Sequence, residues 1–183
     1  GEDFGSFPCD FQNLALCGSQ VGNWDGGTVY NWPISQWAMR AKYQINPELF
    51  AQVGVFEQNP SNLDNDNGFK LSGSGTQGMV LPVELVWSPK VDGLPGEYRA
   101  GYYYSTADSQ DVYKSSNGQS AALTDGTYRS ASSKHGMWLN LLQQVTSKAS
   151  DQSRGLSVFA NGTMAARAPF SPTSISASTW CAI

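Results

Sequence analysis

The sequence predicts an all-β protein built as an antiparallel meander of about six transmembrane strands. Three observations support this fold class. Apolar and polar residues alternate in runs of about ten, turns or polar loops separate the runs, and a long helical pattern is missing. Because side chains alternate between the two faces of a strand, each run gives one apolar face and one polar face.

The first predicted hairpin lies within residues 35–58, SQWAMRAKYQINPELFAQVGVFEQ. Its first strand alternates apolar residues with charged or amide residues. Asn46 and Pro47 then end the strand, because proline has no backbone donor and asparagine favours turns. The second strand resumes at Leu49, so the sequence predicts a tight turn between the two.

The later strands are joined by connections that alternate between long and short, and the long ones are rich in Ser, Asn and Gly. Every second connection of a meander lies at the same end of the sheet, so the long loops share one end. In order, the chain gives a long loop at 59–77, a strand at 79–87, a short turn at 88–96, a strand at 98–105, a long loop at 107–133, a strand at 137–144, a short turn at 147–154 and a strand at 156–161.

This arrangement of loops is typical of outer-membrane barrels, which have short turns at one end and long loops at the other. Aromatic residues fall near both ends of the apolar face: Tyr43, Trp87 and Tyr98 near the short turns, and Trp37 and Tyr104 near the long loops. Two such bands are expected at the two membrane interfaces, with outer-membrane lipid against the apolar face.

A soluble β-sandwich that packs the same rings in its core is the alternative. The polar face helps to separate the two folds, because in a sandwich it meets bulk water and carries many charges of both signs. Here only a few charges stand among Gln, Asn, Ser, Gly and Phe, which favours a water-filled lumen.

Composition limits the possible partners. The 183 residues include 11 Lys+Arg and 15 Asp+Glu, for a net charge of -4, so nucleic acid is not expected as a partner. Charged residues make up only 14% of the chain, and no apolar run approaches the roughly 18 residues of a transmembrane helix. The strands of a membrane barrel alternate and therefore look polar on average, which agrees with a mean hydropathy of -0.35.

Cysteine and other reactive residues give one structural prediction and no catalytic one. Cys9 and Cys17 are predicted to form a disulfide that closes a short loop in an oxidising compartment, with two separate thiols as the alternative. Asp64 and Asp66 are wrongly spaced for a calcium loop, and His135 is the only histidine. We predict no enzyme activity, no metal site and no cofactor.

Several stretches resemble the carbohydrate-selective porins, the OprB-like family of Gram-negative outer membranes. They are NWPISQWAMRAKYQINPELFAQVGVFEQNP, GMVLPVELVWSPK, LPGEYRAGYYYSTAD and RGLSVFAN, together with DFGSFPCDFQNLALCG, which is similar to an external loop of that family. The resemblance implies a sixteen-stranded barrel in the outer membrane that passes sugars, especially monosaccharides such as glucose, by passive diffusion. It also leaves open a homotrimeric parent protein, as in many porins. Under the sandwich alternative, the chain would be a secreted carbohydrate-binding module.

The resemblance covers most of residues 1–161, which we expect to form a partial barrel domain. Within it, residues 1–34 are predicted to be an external loop and strand entry, and residues 35–161 the strands and loops. Residues 162–183 lack a clean alternation and are expected to be a divergent tail. About six strands cannot close a barrel, since known single-chain barrels start at eight, so we expect an internal fragment of a longer porin.

For a sugar channel, a polar lumen must stay wet and bind hydroxyl groups weakly, and aromatic faces can stack on sugar rings. Arg40 and Lys42 would make the local field positive, which repels cations while neutral sugars pass. The alternative is that the charged and amide residues only support the wall through cross-strand pairs, and that the aromatic residues only pack a loop against the wall. The predicted pore-lining residues are Arg40, Lys42, Gln44, Gln52, Glu84, Arg99, Asn140 and Gln144, and the predicted sugar-stacking residues are Trp24, Tyr30, Trp32 and Trp138.

Overall fold

A computed structural model describes residues 34–67, 71–120, 128–131, 133–148, 154–167 and 171–182. Strands dominate these ranges, as the alternation predicts. They are β1 (Ala38–Asn46), β2 (Leu49–Gln58), β3 (Gly78–Trp87), β4 (Lys90–Val91), β5 (Leu94–Ser105), β6 (Ser109–Ser115), β7 (Tyr128–Ala131), β8 (Lys134–Gln144), β9 (Ser157–Arg167) and β10 (Ser171–Ala182).

The main sheet runs in the order β1-β2-β3-β5-β8-β9-β10, and all neighbours are antiparallel. β4 pairs with the start of β5 beside this path, and β6 and β7 form a separate two-stranded sheet. This confirms the all-β antiparallel meander. The described part of the chain gives seven strands along the main sheet, where the sequence predicts about six.

The additional strand lies in the region expected to be a divergent tail. β9 runs past residue 161 to Arg167, and β10 pairs with it from Ser171 to Ala182. Strand pairing therefore continues beyond residue 161, although the sequence there lacks a clean alternation. Strand pairing depends on backbone hydrogen bonds, which a run of small polar residues can make without a clear apolar alternation.

Short and long connections occupy opposite ends of the sheet through β9. Asp92 and Gly93 both have positive φ values, 53° and 79°, which is the geometry of a type I′ hairpin turn. The long connection at 59–77 contains two short 3-10 helices, Pro60–Leu63 and Asn65–Asn67. The other long connection, predicted as a loop at 107–133, holds the pairing of β6 with β7.

The register sorts side chains onto two faces. The apolar face carries rows such as Ala41, Val53, Val83, Tyr102 and Met137, which lie beside each other on β1, β2, β3, β5 and β8. The polar face carries the alternate residues of the same strands, with Lys42, Gln52, Glu84, Gly101 and Trp138 as its central row.

Burial is inverted relative to a soluble protein. On the apolar face, Met39 and Tyr43 are 72% and 73% exposed, whereas Glu84 on the polar face is only 4% exposed. The polar face also buries an apolar cluster formed by Phe56, Val80, Tyr103 and Trp138. An extended surface of exposed apolar side chains requires an apolar surrounding, so the soluble sandwich alternative does not fit this sheet.

Not all of the predicted features fall in the described ranges. The external loop at 1–34 lies outside them except for Ile34, and so do Cys9, Cys17, Trp24, Tyr30 and Trp32. No helix among the described residues is long and apolar enough to cross a membrane.

We expect Val83→Lys to lower the free energy of unfolding by about 2–4 kcal/mol in lipid vesicles, because it places a charge on the apolar face at the middle of β3. Val91→Lys is the matched control. Val91 is similarly exposed but lies in the short turn, where we expect a change of less than about 1 kcal/mol. Urea unfolding of the vesicle-bound protein measures both, and equal effects would contradict a membrane-facing β3.

Candidate functional site

The predicted lining residues of the described strands share the polar face. Two registered rows carry most of them, one through Lys42, Gln52 and Glu84 and the next through Gln44, Arg99 and Asn140. Arg40 lies two positions before Lys42, and Gln144 ends β8 on the same side. Because neighbouring strands align these residues, the structure brings the sequence-predicted set together on one surface.

Glu84 is the centre of a hydrogen-bond network on this face. Its Oε2 accepts from Nε2 of Gln52 at 2.6 Å and from Nη1 of Arg99 at 3.3 Å. Its Oε1 accepts from Nε1 of Trp138 at 2.8 Å. The Glu84 side chain is fully buried, so these donors replace the water that the carboxylate would otherwise bind. The network therefore joins β2, β3, β5 and β8.

A second carboxylate holds Arg99. Nε of Arg99 donates to Oε1 of Glu97 at 2.6 Å, so the guanidinium lies between Glu97 and Glu84. Glu97 is not among the predicted lining residues, although its position two residues before Arg99 on one strand already places both on the same face. The positive charge of Arg99 is therefore compensated within the wall.

The lining residues of β1 are exposed, unlike their neighbours, since β1 lies at the edge of the described sheet. Nη1 of Arg40 donates to Oε1 of Gln52 at 3.4 Å, and Nζ of Lys42 lies 3.7 Å from the centroid of the Phe50 ring. Nε2 of Gln44 instead donates to the carbonyl oxygens of Asn46 and Leu49, at 2.5 and 3.3 Å. Gln44 thus stabilises the first tight turn.

On β8, the two predicted amides have different environments. Asn140 is fully buried, and its Oδ1 accepts from Nδ2 of Asn161 at 2.8 Å, while its own Nδ2 has no hydrogen-bond partner among the described residues. Nε2 of Gln144 donates to the carbonyl oxygen of Thr146 at 2.8 Å, so it closes the end of the strand. Asn161 was absent from the predicted set, because its partner on β8 could be identified only from the register.

Trp138, predicted to stack on sugar, is buried within the wall. It is 2% exposed and its indole N–H binds Glu84. Its ring occupies the space next to Gly101, where an added Cβ would approach Trp138 ring atoms to 2.0 Å. These contacts hold the Trp138 ring within the wall, and its sugar-stacking role stays a prediction.

Within the described ranges, no three His, Cys, Asp or Glu side chains are grouped so that they could hold a metal ion. What the polar face does offer is a row of hydrogen-bonding groups held in place by each other. A sheet with this face and an exposed apolar face is typical of one class of protein, the membrane β-barrels.

Comparison with known proteins identifies the family. The family model for the carbohydrate-selective porin, OprB family, matches residues 1–180. Porin B of Pseudomonas aeruginosa is 63% identical over 166 residues, which cover 90% of this chain and 37% of Porin B. A sequence of Acinetobacter baylyi that bears the porin name QuiX is 43% identical over 167 residues, which cover 88% of this chain and 35% of that protein.

A solved structure supports the same conclusion. OprB of Pseudomonas putida, in its high-pH structure, superposes with a TM-score of 0.79 and 67% sequence identity, covering 90% of this chain and 39% of that one. The chain therefore belongs to the carbohydrate-selective porin, OprB family. Its homologues are channels of Gram-negative outer membranes and not enzymes. The sequence resemblance, the outer-membrane location and the barrel fold are confirmed, and the secreted sandwich alternative is wrong.

We expect Glu84→Ala to lower the free energy of unfolding by about 3 kcal/mol or more, because three buried donors lose their acceptor. Glu48→Ala removes the same carboxylate from an exposed turn and should change the free energy of unfolding by less than about 0.5 kcal/mol. Chemical unfolding in vesicles compares the two variants. A similar small loss for both would show that the network does not stabilise the wall.

Gly101→Ala should destabilise the sheet by about 1–3 kcal/mol, since the new methyl group overlaps the Trp138 ring. Gly162→Ala on β9 is the control, because nothing lies within 4 Å of an added Cβ there. Trp138→Phe removes the donor to Glu84, but it should cost less in the Gly101→Ala background than in the unmodified protein, because the smaller ring makes room for the methyl group. Thermal unfolding followed by near-ultraviolet circular dichroism tests this, and strictly additive effects would contradict the contact.

Proposed function

We propose that this chain forms part of the wall of an outer-membrane channel through which sugars diffuse passively, with glucose and other monosaccharides as substrates. Family membership supports the sugar class, since the family is that of carbohydrate-selective porins. The observation that carries the proposal is the inverted sheet, with exposed apolar side chains on one face and hydrogen-bonded polar side chains on the other.

The wall that we propose is incomplete by itself. The chain spans between 35% and 39% of the length of the relatives given above. Seven main strands lie among the described residues, whereas single-chain bacterial barrels have at least eight, so we propose that further strands close a sixteen-stranded barrel. The coding sequence on either side tests this proposal, which expects further alternating strands in the same reading frame.

Several finer features belong to the same proposal. We propose the eight predicted residues, Arg40 to Gln144, as pore-lining, with small ions passing along the same path as sugar. Residues 1–161 would be the barrel portion, and residues 162–183 a part with a different sequence pattern. A Cys9–Cys17 disulfide in the external loop and a homotrimeric whole porin also stay predictions.

The polar face suits neutral sugars for a physical reason. In the channel, sugar hydroxyls replace hydrogen bonds to water with hydrogen bonds to wall groups. Passage requires that this replacement change the free energy of the sugar only slightly. Glu84, Gln52 and Arg99 already bind one another, so they are held in fixed positions and have limited capacity to trap a solute. A wall of this kind permits weak and repeated contacts, as diffusion through a channel requires.

Adjacent residues on opposite faces of β1 give a direct test in the whole porin. Arg40→Trp should reduce glucose entry into liposomes at least about threefold, because the indole would narrow the channel. Met39→Trp is the matched control, and its indole should enter lipid and leave glucose entry nearly unchanged. Liposome swelling measures both rates. Equal rates for the two variants, or no swelling with the unmodified porin, would contradict the proposal.

A further inference from the structure

One aromatic side chain of the polar face lies across a whole neighbouring strand. Glu84, Gly101 and Trp138 form one registered row on β3, β5 and β8, with the glycine in the middle. The indole N–H of Trp138 nevertheless reaches Oε1 of Glu84 at 2.8 Å. Two strand spacings, about 10 Å, separate the backbones of β3 and β8, so the indole must extend along the wall and over Gly101 to make this hydrogen bond.

The close approach at Gly101 indicates the same orientation of the indole. A Cβ at this position would lie 2.0 Å from two ring atoms of Trp138, so only glycine leaves the ring room to lie there. Side chains of a strand otherwise stand roughly perpendicular to the sheet. Gly101 therefore determines whether the indole lies flat against the wall or extends into the channel.

A second pair repeats the arrangement in the opposite direction. Tyr103 on β5 is registered with Gly136 on β8, the next pair along the same face after Gly101 and Trp138. A Cβ on Gly136 would lie 2.6 Å from Cε1 of Tyr103. Each ring thus lies over the glycine of the other strand. Tyr103 is 0% exposed and Trp138 is 2% exposed, as expected for rings packed along a wall.

We propose that Gly101 and Gly136 set the width of the channel along β5 and β8, and thereby the size of the sugars that pass, by letting Trp138 and Tyr103 lie flat against the wall. The inference rests on the proposed sugar channel and names residues that fix its size limit. The two glycines are positioning residues, because they act on a sugar only through the rings. Their effect is steric and does not depend on the charge of the sugar.

The direction in which a displaced ring moves follows from the strand pairing. β5 is paired with β3 and β8, and β8 is paired with β5 and β9, so the backbone of each glycine is held in the sheet from both sides. A methyl group on Gly101 or Gly136 meets the ring on the same face and forces that ring away from the sheet, into the channel. A narrower channel slows a solute of nearly its own width more than it slows a smaller solute.

Single channels of the whole porin in planar bilayers test the inference, because the conductance of one open channel does not depend on how much protein folds. Gly101→Ala and Gly136→Ala should each lower this conductance, and in liposomes the ratio of glucose entry to entry of the smaller sugar arabinose should fall at least about twofold. Gly136→Ala is the milder variant, since its closest ring contact is 2.6 Å rather than 2.0 Å. Gly162→Ala lies on the apolar face with nothing within 4 Å of the added Cβ, and should change neither quantity.

Removal of the ring separates channel width from stability. Trp138→Ala deletes the indole and its hydrogen bond to Glu84, so it weakens the wall but should not narrow the channel. Gly101→Ala combined with Trp138→Ala should therefore conduct at least as well as the unmodified porin. If the glycine variants keep the conductance and the sugar ratio of the unmodified porin, or if the double variant stays as narrow as Gly101→Ala alone, the inference fails and the sugar channel stands. Absence of glucose entry in the unmodified porin overturns both.

Discussion

The polar face depends on the hydrogen bonds that the buried Glu84 carboxylate accepts. A carboxylate without water must have its charge balanced by donors, and here the donors come from β2, β5 and β8. One side chain on β3 therefore fixes the positions of Gln52, Arg99 and Trp138. Through Gln52, the network also contacts Arg40 on β1.

Much of the fold could be predicted from the period of two. The strands β2, β3, β5 and β8 lie where apolar and polar residues alternate. The alternation arises because successive side chains lie on opposite faces, one toward lipid and one toward the polar side. The same reasoning failed for β10, because small residues such as Ser, Thr and Ala dominate there. They differ too little in size and polarity to indicate which side chains lie on the apolar face. The reasoning also missed β6 and β7, whose short pairing lies within a loop that shows no sustained alternation of apolar and polar residues.

The candidate site was predictable in its membership but not in its contacts. Alternation placed Arg40, Lys42, Gln52, Glu84 and Arg99 on one face, and the structure brings them together. Which residue pairs with which depends on the register between strands, and a single sequence does not state the register. Asn161 was missed for this reason, and the pairing of Arg99 with Glu84 could not be predicted either. Glu97 is different, because it lies two residues from Arg99 on the same strand and its face follows from the alternation alone.

The burial of Trp138 also depends on the register between strands. An aromatic residue on a polar face was a reasonable candidate for sugar stacking, but its partner on β5 is Gly101, which leaves the space that the indole fills. Only the register pairs these two residues. A bulky residue opposite a glycine indicates close packing within the wall more than an open ring surface.

The exposed apolar face has a consequence for how the polypeptide acquires its structure. In water, Met39, Tyr43 and Val83 have no core in which to be buried, so the hydrophobic effect does not favour this sheet before the chain meets a bilayer. An incomplete sheet in lipid would also leave unpaired backbone groups at its edges, at high energetic cost. Insertion and strand pairing are therefore expected to occur as one coupled event, and the chain must be kept unfolded in the aqueous compartment until it reaches the membrane.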